Sequence, residues 1–273
     1  MNYRHAFHAG NFADLVKHAA LLLFIRGLQA AGPLSVIDTH AGRGVYDLAG
    51  DDARRSGEAE AGVMRLMAAR QGVPQGFAPL IAAVRALNGG AGLRRYPGSP
   101  WLAAQSLRPN DRYLGCELRP EEHAALRRAL EGRPGVRTLC ADGYKVAAKE
   151  TPAAGQVLLL IDPPFERADD YLQIVDTLGA VRARNRAAAA LVWLPLKDLE
   201  TFDRFLRDFE EALDAPALVA ETRMRPLNDP MKMNGCALLL LGAPPSMQGE
   251  LEAVCDWTAA NLGEGGGARI RRI

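Results

Sequence analysis

Apolar positions along this chain follow two periodicities. Short runs rich in branched residues stand at 35–38, 113–117, 136–141, 157–162, 189–194, 217–225 and 236–242, and most are continuous rather than alternating. Continuous apolar strands are those covered on both faces. Between them lie segments whose apolar residues recur three and four apart, as on one face of a helix. The alternation predicts an α/β fold: a Rossmann-like, mostly parallel seven-stranded sheet between helices. The last two runs depart from it, because the connection PLNDPMKMNG is too short for a crossover helix and ends in a turn signal. They are predicted to pair antiparallel, as a hairpin at the sheet edge.

One interval breaks the rhythm. About 75 residues separate the first run from the second, far more than a strand–helix unit requires. Within it Val63, Met64, Leu66 and Met67 fall at helical spacing, as do Phe77, Leu80, Ile81, Val84 and Leu87, and the two segments end at QGVPQG and NGGAG. We therefore expect a small helical subdomain at 47–96, inserted into a larger domain formed by 1–46 and 97–273. Ser99 as N-cap and Pro100 in the first turn are expected to start the crossover helix. The tail GEGGGARIRRI, rich in glycine, is expected to be a flexible end.

Composition narrows the class. The 273 residues are 48% hydrophobic and 24% charged, ordinary for a globular protein, and the net charge is only +1. A nucleic-acid surface must then come from local basic clusters. Candidates are Arg54–Arg55, Arg94–Arg95, the arginines at 182, 184 and 186, the set Arg223, Arg225 and Lys232, and the C-terminal trio at 269, 271 and 272. Cys116, Cys140, Cys236 and Cys255 form no C-x-x-C pair and are expected to be buried, reduced thiols in a cytoplasmic protein. The N-terminal stretch lacks the apolar core of a signal peptide, and no run reaches the ~20 residues of a membrane span.

In a parallel α/β sheet, ligands sit beyond the carboxyl ends of the strands, and four motifs fall there. The first strand leads into DTHAGRG, whose glycines allow close backbone approach to a ligand, although the full dinucleotide fingerprint is absent. The second ends at Glu117, an acid able to accept from two ribose hydroxyls. The third leads to Asp142 and Gly143, suited to the edge of an adenine ring or simply to a turn. The fourth is DPPF. An exocyclic amino group of adenine is a poor nucleophile because its lone pair is delocalised, and acceptors that hold its N–H bonds favour attack on a methyl sulfonium. Asp162 supplies one acceptor and a carbonyl of the Pro163–Pro164 turn a second, while the ring of Phe165 gives a base a face to stack on.

These motifs resemble class I S-adenosylmethionine-dependent methyltransferases that modify adenine N6. The opening NYRHAFHAGNFADLVKH, with DTHAGRGVYDL, YPGSPWLA, CELRP, ADGY and IDPPF in that order, is more specifically similar to the bacterial family that methylates N6 of one adenine in 23S ribosomal RNA. The resemblance runs over almost the whole chain. It implies that S-adenosylmethionine is contacted by Lys17, His18, His40, Ser99, Glu117, Asp142, Gly143 and Asp162. It implies that Asp162 is the catalytic proton acceptor, with Lys17, Pro163 and Phe165 in the catalytic group, and that Tyr3 and His5, with Phe165, place the substrate base. Arg43 between the loop glycines, and Phe165 where tyrosine is commoner, are departures from the family pattern.

The expected partner is thus 23S rRNA, met by a monomer that uses neither metal nor membrane. A DNA adenine-N6 methyltransferase would use the same DPPF chemistry, but no target-recognition domain is visible. A silent RNA-binding module on this fold would have no need of intact Asp162, Pro163 and Pro164.

Overall fold

The structure is a computed structural model that describes residues 7–90, 92–226 and 233–273. Helix α1 (Phe12–Gln29) precedes strand β1 (Leu34–Asp38), and a short strand β2 (Val45–Asp47) opens the inserted segment. That segment holds α2 (Asp51–Ser56), a π-helical turn at Glu60–Met64, α3 (Arg65–Ala68) and α4 (Ala78–Asn88), and it closes with β3 (Arg95–Pro97). β2 and β3 pair antiparallel as a two-stranded stem. The chain then alternates through α5 (Ser99–Gln105), β4 (Arg112–Cys116), α6 (Pro120–Ala129), β5 (Val136–Leu139), α7 (Gly143–Glu150), β6 (Gln156–Ile161), α8 (Asp170–Arg184), β7 (Ala189–Leu196) and α9 (Leu199–Ala212). It finishes with β8 (Ala217–Arg223), β9 (Gly235–Leu241), α10 (Gln248–Leu262) and β10 (Gly267–Arg272).

The main sheet has eight strands in the order β10-β8-β9-β7-β6-β1-β4-β5. β5, β4, β1, β6 and β7 are parallel, and β9, β8 and β10 are joined antiparallel. Both faces are covered, which explains the unbroken apolar runs. Along β6, Leu158 and Leu160 enter the core beneath α1, α5 and α10, while Val157, Leu159 and Ile161 enter the core beneath α8 and α9. The apolar stripe of the insertion, Val63, Leu66, Phe77, Leu80 and Val84, joins the first of these cores. The insertion is therefore packed against the sheet domain rather than held apart from it.

Several expectations are corrected by the structure. The glycine-rich tail is not a flexible end: its last residues form β10, an eighth strand, and the β8–β9 pair lies inside it rather than at the edge. The anchor is Glu221, fully buried on β8, which accepts from Arg223 on its own strand and from Arg271 on β10. Ser99 is not the cap of α5; Gly98 takes that position, and the Ser99 hydroxyl turns inward to β1. Asn11, by contrast, caps α1 by accepting from the Asp14 amide at 2.9 Å. Cys116, Cys236 and Cys255 are buried free thiols, but Cys140 is exposed.

Among the described residues no helix is long and apolar enough to cross a membrane, and no group of three or more His, Cys, Asp or Glu side chains is arranged to hold a metal ion. Several arginines of the basic clusters are tied down locally. Arg182 and Arg184 donate to the carbonyls of Ala188 and Thr151, Arg223 and Arg271 to Glu221, and Arg272 to Gln248. Lys232 lies outside the described residues.

Candidate active site

The strand order reverses around β1, which has β4 on one side and β6 on the other. The carboxyl ends of these three strands open into a cavity of about 420 Å³, within the ~300–1,000 Å³ of typical ligand sites. Lys17, His18, His40, Ser99, Glu117, Asp142, Gly143 and Asp162 all line it. Pro164 of the DPPF turn reaches the lining, whereas Pro163 is buried behind it.

Glu117 follows β4, where its carboxylate is already organised by backbone. One oxygen accepts from the Gly42 amide at 2.9 Å and the other from the Arg119 amide at 2.8 Å. Each oxygen keeps a second lone pair. Burial raises the Glu117 pKa, and the two amide donors oppose that rise. Gly42 itself has φ of 65°, and a Cβ there would come within 2.5 Å of the Tyr46 hydroxyl, so the loop needs glycine. Arg43, the departure from the family pattern, forks onto both oxygens of Glu122 at 3.0 and 2.9 Å and so fastens the glycine loop to α6.

Asp142 caps α7 by accepting from the Tyr144 amide at 3.1 Å. Asp142 is thus a helix cap rather than part of a turn, and it also lies on the cavity wall, where a capping carboxylate retains a further oxygen. Gly143 permits the approach of β1: a Cβ there would fall 2.1 Å from the Thr39 carbonyl oxygen. The neighbouring Tyr144 ring meets His40 edge-on at 4.7 Å between centroids, and its hydroxyl donates to Asp170 at 3.3 Å. Enclosed in this way, His40 is held neutral, its pKa lowered to about 4 chiefly by burial.

At the tip of β6 the Lys17 ammonium lies between two carboxylates, 2.5 Å from Asp162 Oδ2 and 2.9 Å from Asp14 Oδ1. Burial alone would lower the Lys17 pKa; the two carboxylates outweigh it and hold the ammonium well above its usual range. The cluster carries a net charge of −1, suited to a cationic ligand. A third acid, Asp38 at the end of β1, is fully buried and accepts from Ser99 Oγ at 3.0 Å, Tyr113 OH at 3.1 Å and the His40 amide at 3.2 Å. Burial raises its pKa to about 7 against the pull of those donors. Neither Asp14 nor Asp38 is singled out by the sequence alone, and the one available signal is position: Asp38 ends the first strand and Asp14 stands one turn before Lys17.

Phe165 does not line the cavity. Its partly exposed ring rests against Tyr171 and Trp193, at 4.9 and 5.8 Å between centroids. Its φ of 50° is one of two positive values among described non-glycine residues. A left-handed residue costs about 1–2 kcal/mol, and such conformations cluster where function requires them. Tyr3 and His5 lie outside the described residues.

Known proteins match this chain over most of its length. Residues 31–273 match the family model for Ribosomal RNA large subunit methyltransferase D, RlmJ. The proteins named Ribosomal RNA large subunit methyltransferase J from Escherichia coli (strain K12) and from Haemophilus influenzae are 31% and 30% identical, each over 96% of this chain and 94% of its own. The crystal structure of a protein from Legionella pneumophila superposes with a TM-score of 0.87 at 27% identity, covering 97% of this chain and 98% of that one.

Proposed function

Because this chain belongs to the RlmJ family of ribosomal RNA large subunit methyltransferases, we propose that it transfers a methyl group from S-adenosylmethionine to N6 of one adenine in 23S rRNA. The observation that carries the chemistry is Asp162 at the rim of the cavity, with Oδ2 held by Lys17 and Oδ1 left for the target base.

S-adenosylmethionine supplies the electrophilic methyl on a sulfonium; the chain supplies binding, orientation and charge. Glu117, Asp142 and Gly143 line the cavity; Glu117 would present its remaining lone pairs to the two ribose hydroxyls, and Asp142 with the Gly143 backbone would meet the adenine ring of the cofactor. Lys17 and His18 also line the cavity and would meet the α-carboxylate. The net negative Asp14–Lys17–Asp162 cluster favours the sulfonium end.

Asp162 Oδ1 accepts one N–H of the target amino group, and a carbonyl of the DPP turn accepts the other. As N6 bonds to the methyl carbon and the C–S bond of the sulfonium breaks, positive charge grows on nitrogen, and a carboxylate held in place by Lys17 offsets it without having to reorganise. Asp162 then takes the proton that N6 sheds. Phe165, partly exposed beside the turn, gives the extruded base an aromatic face.

The test is a map of N6-methyladenine over 23S rRNA from cells with and without this protein, and from cells carrying Asp162→Ala. One mark should vanish in both altered strains. Identical maps in all three would end the proposal.

A further inference from the structure

Tyr96 has no part in the chemistry above, yet it is fully buried beside the site. Its hydroxyl lies 2.9 Å from Nδ1 of His18, and the two rings stack at 5.5 Å between centroids with 28° between planes. It belongs to β3, the strand that closes the insertion, and faces Tyr46 of β2 across the stem. Burial, reinforced by nearby Asp14, pushes the phenol well above its ordinary pKa, so the hydroxyl keeps its proton. A buried O–H needs an acceptor, and the partner described for this one is His18 Nδ1. A neutral imidazole that accepts at Nδ1 carries its own proton at Nε2.

His18 lines the cavity, with the Nε2 edge of its ring 3.9 Å from Asp14 Oδ1. We infer that Tyr96 is a positioning residue for the cofactor: its hydroxyl fixes His18 as the Nε2–H tautomer, a neutral donor for the carboxylate of the amino-acid moiety. The neutral form has a physical advantage. A protonated histidine beside Lys17 would place a second cation in a site that must admit a sulfonium. The arrangement also makes the stem of the insertion part of the cofactor site. The inference rests on the reading that His18 meets the amino-acid end of S-adenosylmethionine.

Two measurements test it. Nitrogen-15 NMR of the wild-type protein, labelled at histidine, should find His18 protonated at Nε2 and unprotonated at Nδ1. Calorimetry should then compare wild type, Tyr96→Phe and His18→Ala with two probes: S-adenosylhomocysteine, and 5′-methylthioadenosine, which has the nucleoside but no amino acid. Tyr96→Phe should weaken S-adenosylhomocysteine about tenfold, the equivalent of one buried hydrogen bond, and leave 5′-methylthioadenosine unchanged. His18 found protonated at Nδ1 in the wild type, or Tyr96→Phe binding normally while His18→Ala binds poorly, would overturn the inference alone. Normal binding by His18→Ala would instead remove the cofactor reading of His18, and the inference with it. The wild-type spectrum decides the tautomer even if Tyr96→Phe fails to fold.

Discussion

Lys17 and Asp162 stand 145 positions apart in sequence and 2.5 Å apart in space. The bond joins the first helix to the tip of β6, so the proposed catalytic carboxylate is aimed by a residue of the N-terminal motif. Asp14 is the third member, and it makes the Asp162 position tolerant of change: with Asp162 altered, Lys17 still has a buried partner at 2.9 Å.

Asp162→Ala should accordingly stay folded and lose methyl transfer. Asp162→Asn keeps an acceptor without the charge and should fall between the two, down by on the order of 10²–10³ in rate if one electrostatic contact is lost. Lys17→Met should behave differently, because it strands two carboxylates. Removing one partner of a buried ion pair costs roughly 3–5 kcal/mol, so thermal melting should show Lys17→Met as the unstable variant and Asp162→Asn as close to wild type. The reverse order would mean that the pair serves folding at Asp162 rather than catalysis.

Glu117→Ala should act on the cofactor. The lost ribose hydrogen bonds are worth roughly 1–3 kcal/mol, about ten- to a hundredfold in affinity. Part of the loss is indirect, because the same carboxylate pins the Gly42 and Arg119 amides. Titration calorimetry with S-adenosylhomocysteine reads it, and unaltered affinity would take Glu117 out of the site.

How legible this site was in the sequence depends on distance along the chain. The β6 run and DPPF are contiguous, and a strand buried on both faces announces itself by unbroken apolar residues, so strand and turn were readable together. The cavity residues at the ends of β1, β4 and β6 followed from the rule that ligands sit at carboxyl ends. Asp38 was not readable, because what distinguishes it is two donors 61 and 75 positions away, Ser99 and Tyr113. The same inward bond explains why Ser99 is not the cap that serine before proline suggests: a tertiary partner takes its hydroxyl. β10 is hidden in the sequence for a related reason. GARIRR resembles a solvated tail until Glu221, 50 positions upstream, is seen to hold Arg271.

The C-terminal strand should therefore contribute to stability. Glu221→Ala removes the buried acceptor that Arg223 and Arg271 share, leaving two half-buried guanidinium groups without it. A loss of roughly 3–5 kcal/mol in urea unfolding is expected from breaking such a pair, and backbone amide exchange along 267–272 should quicken in the same variant. A variant with wild-type stability and unchanged exchange would show that backbone pairing with β8 alone secures the strand.

The pH dependence of stability isolates Asp38. Its folded pKa of about 7 lies above the ~3.9 of an unfolded aspartate, so between those values the folded state binds a proton that the unfolded state has released. The stability from this group is fully present below about pH 4 and is lost as pH rises through about 7. The full displacement is worth up to about 4 kcal/mol. His40 has the opposite sign: its folded pKa of about 4 lies below the ~6.5 of a free imidazole, so its contribution is lost as pH falls. The two partly cancel in the wild type between about pH 4 and 6.5, which hides either one in a simple profile. Comparing wild type with Asp38→Asn removes the histidine contribution, since both proteins carry His40. Asparagine cannot ionise, and although its amide gives up one of the acceptor positions for Ser99 and Tyr113, that penalty does not vary with pH. The stability difference between the two proteins should thus move in favour of Asp38→Asn by a few kcal/mol from pH 5 to pH 8 in ligand-free urea unfolding. A difference that stays flat across this range would show that Asp38 is ionised throughout, with Ser99, Tyr113 and the His40 amide sufficient to hold the charge.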